Sequence, residues 1–315
     1  MSDPVQFQGL RKVTLPARPL HLAIGIFDGV HLGHRAVIEA AVQSAHRTNG
    51  QSAVLTFAPH PSVILRPEHP TRMLMDQAAK ARVLGSLGVE TMITEPFTAD
   101  FARTSAEEFL PLLQKYLPSL VAVYVGENWR FGRGRGGDIH LLVAEGKKRG
   151  LMVFSAPRVS FNGEPISSSR IRKLIEAGDI SAANALLGYV YFSEGEVRPG
   201  KQLGRTLGFP TLNLAWSPDL RPRFGVYAVR VKDRTTTAFL HGVANYGLRP
   251  TVEQSNQPRL EVHMLGACPF GPGSVLTVEW LHFLRPEKKF ANVDELRAQI
   301  AQDKSEAEAF FSETG

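Results

Sequence analysis

The segment IGIFDGVHLGHRAVIEA, residues 24–40, joins an apolar run to an amphipathic pattern. The apolar run predicts the end of a β-strand, and the spacing of apolar residues after it predicts a helix. His31, Gly33 and His34 fall at the junction, where the free N–H groups and the dipole of a helix N-terminus favour an anion. Two imidazole donors are suited to neutralising a phosphoryl group that is being transferred. The segment therefore predicts a phosphate site rather than a surface turn with two solvated histidines.

The same alternation of strand and helix patterns continues through the first part of the chain. Apolar runs predict five strands, at residues 21–27, 52–57, 91–94, 121–126 and 151–156. Helical spacing between these runs predicts a parallel sheet covered on both faces, with ligands at the carboxyl ends of its strands. One further helix, over residues 168–188, is expected to close this part.

The pattern changes after residue 188. Short β-branched and aromatic runs, separated by Gly, Pro and charged turns, alternate at period two and predict an antiparallel barrel or sandwich. Residues 293–313 have the spacing of an amphipathic helix. We therefore predict two domains, residues 1–187 and residues 188–315.

Composition limits the possible functions. The chain has 315 residues, 43% of them hydrophobic, which agrees with about two globular domains and excludes a disordered chain. Its net charge of +6 favours phosphates but falls short of the basic stripe of a nucleic-acid-binding protein. Cys268 is the single cysteine, and no apolar run reaches signal-peptide or membrane-spanning length. We expect a soluble, cytoplasmic protein without nucleic-acid or membrane partners.

A second basic cluster lies in ISSSRIRKLIEAGDI, residues 166–180. Ser167 or Ser168 is a suitable N-cap, which places Arg170 and Arg172 in the first helical turn. Arginine at that end opposes the helix dipole, and a bound polyphosphate would supply the missing negative charge. The alternative is a charged, exposed helix start.

Glycines and arginines also crowd the segment GENWRFGRGRGGD, residues 126–138. Gly132, Gly134 and Gly137 match GxGxxG formally, but they begin several residues after the strand, and the next strand is not followed by an acidic residue. We reject a dinucleotide-binding fingerprint on these grounds. A mobile basic loop with Asn128 and Trp129 that wraps a nucleotide or an aromatic ring is the better interpretation.

The second half carries its own candidate phosphate site in RPGKQLGRTLGFPTLNL, residues 198–214. Glycines free the backbone, and the order of residues differs from a P-loop. Thr211 and Asn213 lie two apart on a predicted strand, so their oxygens share one face and could hold Mg²⁺ beside a phosphate. Thr and Asn on a solvated strand face are the equally weighted alternative.

A candidate base follows in RLEVHML, residues 259–265. Glu261 and His263 share one face of this strand, and Val262 and Met264 share the other. The carboxylate could take a proton from a substrate hydroxyl. Without further context, a surface glutamate is as good an interpretation, and His263 is taken as structural or solvated.

These motifs together resemble the bifunctional bacterial riboflavin kinase/FMN adenylyltransferase family, also called FAD synthetase. IGIFDGVHLGH, TFAPHP, the glycine–arginine loop and ISSSRIR look like its adenylyltransferase module. GKQLGRTLGFPTLNL, RFGVYAVRV, NYGLRPTV, LEVH and LRPEKKF look like its kinase module. The resemblance follows the family's order over almost the whole chain.

The resemblance implies an α/β Rossmann-like nucleotidyltransferase domain, then a six-stranded, mainly antiparallel β-barrel domain with a C-terminal helix. It implies that riboflavin and ATP give FMN, and that FMN and a second ATP give FAD and pyrophosphate, with Mg²⁺ as the cofactor. Glu261 is implied as kinase base and Thr211 and Asn213 as Mg²⁺ ligands. His31, His34 and Arg170 are implied to stabilise charge on the α-phosphate and the leaving pyrophosphate.

Further residues are implied to contact nucleotide or flavin: Gly25, Phe27, Asp28, Gly29, Asn128, Ser167, Ser168, Gly200, Lys201 and Gly208. The chain departs from the family pattern at Ser169, where Thr is usual, and at Leu212, where Ala is usual. It also lacks the usual aspartate after HML, where GACPF follows.

Three alternatives stay open at the level of sequence. HxGH also occurs in adenylyltransferases of other specificity, although these give no account of the second half. Only one of the two modules could be active. A nucleic-acid-binding protein would be suggested by the loop WRFGRGR. The sequence leaves the oligomeric state unassigned.

Overall fold

The computed structural model describes residues 3–199, 208–233, 238–248 and 258–314. It forms two compact units that divide after Ser168. The domain boundary that the sequence places after residue 187 stays a prediction.

A parallel sheet organises the first unit. Its strands are β1 (Val5–Gln8), β2 (Leu20–Ile24), β3 (Gln51–Ala58), β4 (Thr91–Pro96), β5 (Leu120–Gly126) and β6 (Met152–Ala156). The six strands lie in the order β1-β4-β3-β2-β5-β6, and every neighbouring pair is parallel. The predicted parallel α/β architecture is therefore confirmed.

Apolar sequence explains which strands could be predicted, because the edge strand β6 has no fully buried residue but was predicted from its apolar run. Every residue of β2 is buried, as expected for a central parallel strand that is covered on both faces. Strand β1, at the opposite edge next to β4, was missed because its four residues, VQFQ, alternate apolar side chains with glutamine. A short strand of that kind lacks the apolar run from which a strand is predicted.

Helices α1 (Leu32–Arg47), α2 (Pro61–Leu65), α3 (Gln77–Ser86), α4 (Ala106–Tyr116) and α5 (Ile139–Lys148) connect these strands. Each begins after a side chain that accepts a hydrogen bond from a backbone N–H of the first turn. These capping residues are His31, His60, Asp76, Ser105 and Asp138. A small hairpin, β7 (Ser160–Phe161) and β8 (Glu164–Pro165), follows β6.

The single helix expected over residues 168–188 is wrong in one respect, because two helices stand there. They are α6 (Ser168–Ala177) and α7 (Ile180–Leu187). Gly178, with φ at +86°, ends the first, and the Asp179 carboxylate caps the second by accepting from the Ala182 amide at 3.1 Å.

The second unit is built around a closed antiparallel barrel. Its strands are β9 (Phe192–Arg198), β10 (Thr211–Ala215), β11 (Gly225–Asp233), β12 (Leu240–Gly247), β13 (Arg259–Met264) and β14 (Val275–Pro286). They close in the order β10-β13-β12-β11-β14-β9. The structure thus decides for a barrel over a sandwich. Trp280, Tyr227 and Tyr246 are fully buried in its interior.

The predicted C-terminal helix is α8 (Val293–Thr314), which packs on the barrel. A bidentate ion pair anchors this helix to β14. Arg285 Nε lies 2.6 Å from Asp303 Oδ1, and Arg285 Nη2 lies 2.7 Å from Asp303 Oδ2. Both side chains are largely buried. Such paired, hydrogen-bonded geometry makes either partner costly to remove.

No helix in the described ranges is both long enough and apolar enough to cross a bilayer.

Replacing Asp303 by alanine should loosen α8, because the Arg285 guanidinium would remain buried without its counter-charge. We expect the opening free energy of α8, from native-state hydrogen exchange, to fall by about 2–4 kcal/mol. Glu308→Ala is the matched control on the same helix, since Glu308 lies 3.7 Å from Lys304 in an exposed pair and should change it by less than about 0.5 kcal/mol. Equal exchange in the two variants would contradict the anchoring role.

Candidate functional site

The turn between β2 and α1 has an unusual backbone conformation. Phe27, Gly29 and Val30 have φ values of +48°, +79° and +36°. Only glycine adopts this region easily, and a β-branched residue there is strained. The Val30 amide closes the turn by donating to the Phe27 carbonyl at 3.3 Å. The chain therefore leaves the sheet abruptly and enters α1 at once.

The two histidines of the HxGH motif stack at the start of α1. Their ring centroids lie 3.6 Å apart at an interplanar angle of 16°. His31 caps the helix through Nδ1, which accepts from the His34 amide at 3.3 Å. An accepting Nδ1 leaves the proton of a neutral His31 on Nε2, which is then a donor. The edge of the Phe27 ring packs on His34 at 5.4 Å.

Two glycines give these rings room. A Cβ on Gly33 would lie 3.2 Å from Cε1 of the His31 ring. A Cβ on Gly25 would lie 3.0 Å from the Phe27 ring. Gly33 therefore leaves room for the His31 ring, and Gly25 leaves room for the Phe27 ring that packs on His34. Close approach of this backbone to a ligand stays a prediction.

Asp28 supports the turn from inside. Its side chain is 2% exposed, and its carboxylate accepts from the Leu74 amide at 2.9 and 3.2 Å. The Asp28 carbonyl accepts from the Ser168 hydroxyl at 2.9 Å. Two of the predicted ligand-binding residues therefore meet each other, and their contact with a nucleotide or flavin stays a prediction.

The basic cluster of ISSSRIR lies where the sequence places it, at the beginning of α6. Ser167 is half-buried and immediately precedes the helix, while Arg170 and Arg172 occupy its first turns and are partly buried. Arg170 is counted with the second compact unit. Its action with the two histidines stays a prediction.

The glycine–arginine loop after β5 is anchored by contacts of its aromatic residues, and its mobility stays a prediction. Trp129 stacks on Phe131 at 4.7 Å and also contacts Phe109. Phe131 pairs with Gly137 through two backbone hydrogen bonds of 2.9 and 3.2 Å. Asn128 stays exposed, so its predicted role in ligand binding rests on an accessible amide.

The barrel brings the candidate kinase residues together. Asn213 of β10 lies directly opposite Glu261 of β13, and Thr211 lies opposite His263. Directly opposed residues in an antiparallel pair have Cβ atoms about 5 Å apart. The alternate residues Leu260, Val262 and Met264 are buried. The oxygens of the predicted site therefore share the outward face. The period-two pattern predicted the shared face within each strand, and the register brings the two strands together.

Asn245 completes this row and was missed by the sequence analysis. It lies opposite Glu261 on the other side, in β12. Its strand was predicted, but neighbours across a sheet depend on a register that the sequence alone does not state. Among the described residues, no cluster of three His, Cys, Asp or Glu forms a metal site. A cation at this face would need hydroxyl, amide and phosphate oxygens.

The segment before β10 is held in place by His263. Its Nδ1 lies 2.9 Å from the Pro210 carbonyl, and its ring meets the edge of Phe209 at 5.5 Å. Gly208 has φ at +86°, which glycine tolerates. Gly200 and Lys201, predicted to bind nucleotide or flavin, lie outside the described residues.

A second residue that the sequence analysis missed is Lys80 on α3, whose side chain is fully buried. The available signal was its position three and four residues before the buried Val83 and Leu84, on the apolar face of the helix. A lysine in a helix is usually taken as a surface residue, and only its spacing to Val83 and Leu84 indicates that Lys80 lies on the buried face.

Comparison with known proteins agrees with both halves of the structure. The family model described as FAD synthetase matches residues 15–170, and the one described as riboflavin kinase matches residues 187–311. A bifunctional riboflavin kinase/FMN adenylyltransferase of Listeria monocytogenes is 36% identical over 92% of each chain. Its counterpart in Escherichia coli is 37% identical over 93% of each chain.

A solved structure also matches over nearly the full length. It is the crystal structure of a macrolide-efflux protein from Streptococcus pneumoniae, with a TM-score of 0.84 and 28% identity. The match covers 96% of this chain and 98% of that one. On its sequence, its two matched domains and its relatives, the chain belongs to the family of bifunctional riboflavin kinase/FMN adenylyltransferases.

Proposed function

We propose that this chain phosphorylates riboflavin with ATP to give FMN and then adenylylates FMN with a second ATP to give FAD and pyrophosphate. The observation that carries the proposal is that one chain holds two different sites. Two imidazoles stack at a helix N-terminus in the parallel unit, and a carboxylate lies between two amides on the barrel. The first set of groups suits an anionic nucleophile, and the second suits a hydroxyl.

In the kinase step, Glu261 is the base. The terminal ribityl hydroxyl of riboflavin is a poor nucleophile until its proton is taken. As that proton moves to Glu261, the hydroxyl oxygen bonds to the γ-phosphorus of ATP, the bond to the bridging β–γ oxygen breaks, and ADP leaves. Asn213 and Asn245, opposite Glu261 on either side, are placed to orient the carboxylate.

The oxygens of Thr211 and Asn213 fit Mg²⁺, which prefers hard oxygen ligands and keeps water and substrate phosphates in its shell. These two side chains would hold it on the outward face of β10. When bound, it neutralises negative charge on the ATP phosphates.

In the adenylyl step, an FMN phosphate oxygen attacks the α-phosphorus of ATP, and the bond to pyrophosphate breaks. No strong base is required because this nucleophile is already anionic. His31 and His34 donate to the α-phosphate and the leaving pyrophosphate, where charge increases. Arg170 adds a fixed positive charge in the same role.

The expected ligands, cellular location and absence of other partners belong to the same proposal. Riboflavin, FMN, FAD and ATP are the ligands, the protein acts in the cytoplasm, and neither nucleic acid nor a membrane takes part. An HxGH adenylyltransferase of other specificity would explain the first unit but not the row formed by Asn213, Glu261 and Asn245. The two activities are therefore tested separately.

Combining His31→Ala with His34→Ala should lower FMN-to-FAD conversion at least about 100-fold, because the donors to the transferring phosphate are lost. FMN should still accumulate from riboflavin and Mg²⁺-ATP. Chromatographic separation of the flavins measures both steps. His46→Ala, at the exposed end of the same helix, should retain both. Unchanged FAD formation in the double variant would contradict the assignment.

Replacing Glu261 by glutamine should lower FMN formation at least about 100-fold, because the amide cannot accept the hydroxyl proton. Supplied FMN should still be converted to FAD at the wild-type rate. Glu196→Gln is the control, since Glu196 is an exposed carboxylate on β9 of the same barrel. Loss of both steps in a folded Glu261→Gln variant would argue against separate sites.

A further inference from the structure

Lys80 has an unusual environment for a lysine. Its side chain is fully buried, and Nζ lies 2.7 Å from the Ile26 carbonyl and 3.2 Å from the Thr56 hydroxyl. Neither partner is charged. Burial lowers the pKa of Lys80 to about 8, and the nearby Asp28 carboxylate opposes that shift. The ammonium is thus held mainly by neutral oxygens in a low-dielectric interior.

Stability of the helix does not explain this lysine. Lys80 lies in the first turns of α3, where a positive charge opposes the helix dipole. Removing an ammonium from water is unfavourable, so the burial of Lys80 carries a cost in stability that its hydrogen bonds must offset. The role of the Lys80 ammonium is therefore inferred from the groups that it binds.

Lys80 binds the Ile26 carbonyl, which immediately precedes the turn between β2 and α1. The Ile26 carbonyl accepts from Lys80 and also from the Thr56 hydroxyl at 2.9 Å. Ile26 immediately precedes Phe27, the first left-handed residue of the turn. Two donors from different elements thus fix the peptide plane on which the unusual backbone path starts.

The rest of the turn is fixed by separate contacts. The Asp28 carboxylate accepts from Leu74, and the Asp28 carbonyl accepts from Ser168. Beyond the turn, His31 caps α1 and stacks on His34. Without the Lys80 ammonium, only Thr56 would hold the beginning of the turn, while these later contacts remain. The expected result is therefore a displacement of the rings and not unfolding.

We propose that Lys80 is a positioning residue for adenylyl transfer, whose ammonium holds the Ile26 carbonyl and thereby fixes the turn that presents His31 and His34. This inference rests on the proposed function of those histidines. A displacement well under 1 Å matters there, because donors must meet the phosphoryl oxygens at hydrogen-bond distance in the transition state.

Lys80→Met tests the proposal, since methionine fills a similar volume without the ammonium. We expect kcat for FMN-to-FAD conversion to fall at least tenfold, with KM for FMN and ATP within threefold of wild type. The melting temperature should fall only slightly, because the Asp28 carboxylate keeps its hydrogen bond from Leu74 and the Ile26 carbonyl keeps its hydrogen bond from Thr56. FMN formation from riboflavin should be unchanged. A residue that only stabilised the fold would instead lower the melting temperature and kcat together. Lys147→Met, on the exposed face of α5, is the control.

Thr56→Val provides a second, milder test, because it removes the other donor to the Ile26 carbonyl at nearly constant volume. Its kcat should fall in the same sense with KM unchanged. If Lys80→Met lowers the melting temperature more than slightly, Thr56→Val decides. Wild-type kcat in the variant that folds, or a rise in KM that accounts for the whole loss, overturns the proposal.

An assay of FMN-to-FAD conversion by the wild-type protein distinguishes failure of this inference from failure of the proposed function. If it makes no FAD from FMN and Mg²⁺-ATP, the proposed function fails. If it makes FAD and Lys80→Met makes it equally fast, only the role of Lys80 is refuted.

Discussion

Fixing the left-handed turn between β2 and α1 is the constraint on which the first site depends. A backbone with Phe27 and Val30 at positive φ is unfavourable by itself and persists only where surrounding groups hold it. Lys80 and Thr56 hold its beginning, and Leu74 and Ser168 hold Asp28. The strain brings a helix N-terminus and two imidazoles to the carboxyl end of a central strand, where ligands of open α/β sheets bind.

The second site relies on a different source of rigidity. In a closed barrel every strand has two partners, so the outward residues of β10, β13 and β12 keep a fixed register. The aromatic interior, with Trp280 in contact with Tyr227 and Tyr246, supports that wall from the inside. Asn213, Glu261 and Asn245 consequently form a row without any strained backbone. The proposed carboxylate base and oxygen ligands would benefit from this arrangement, because their neighbours are set by hydrogen-bonded strands.

The two proposed reactions differ in their nucleophile, and each site has the kind of group that its nucleophile needs. A hydroxyl nucleophile needs a base, which Glu261 would supply under the proposed assignment, whereas a phosphate nucleophile is already charged and needs donors, which His31 and His34 would supply. The product of the first proposed reaction carries the anion that the second requires. Placing the two kinds of group in separate folded units lets each have the electrostatic environment that its step demands.

Local pattern determined much of this protein. Buried strands, helix caps and the HxGH junction are encoded within a few residues. The sequence alone therefore predicted the parallel sheet, the antiparallel strands and the face that Thr211 and Asn213 share on their strand. The polar edge strand Val5–Gln8 and the break at Gly178 escaped it. Only the tertiary structure decided that Lys80 is buried and that Asn245 lies beside Glu261. Both depend on contacts between residues far apart in the chain, which hydrophobic periodicity does not specify.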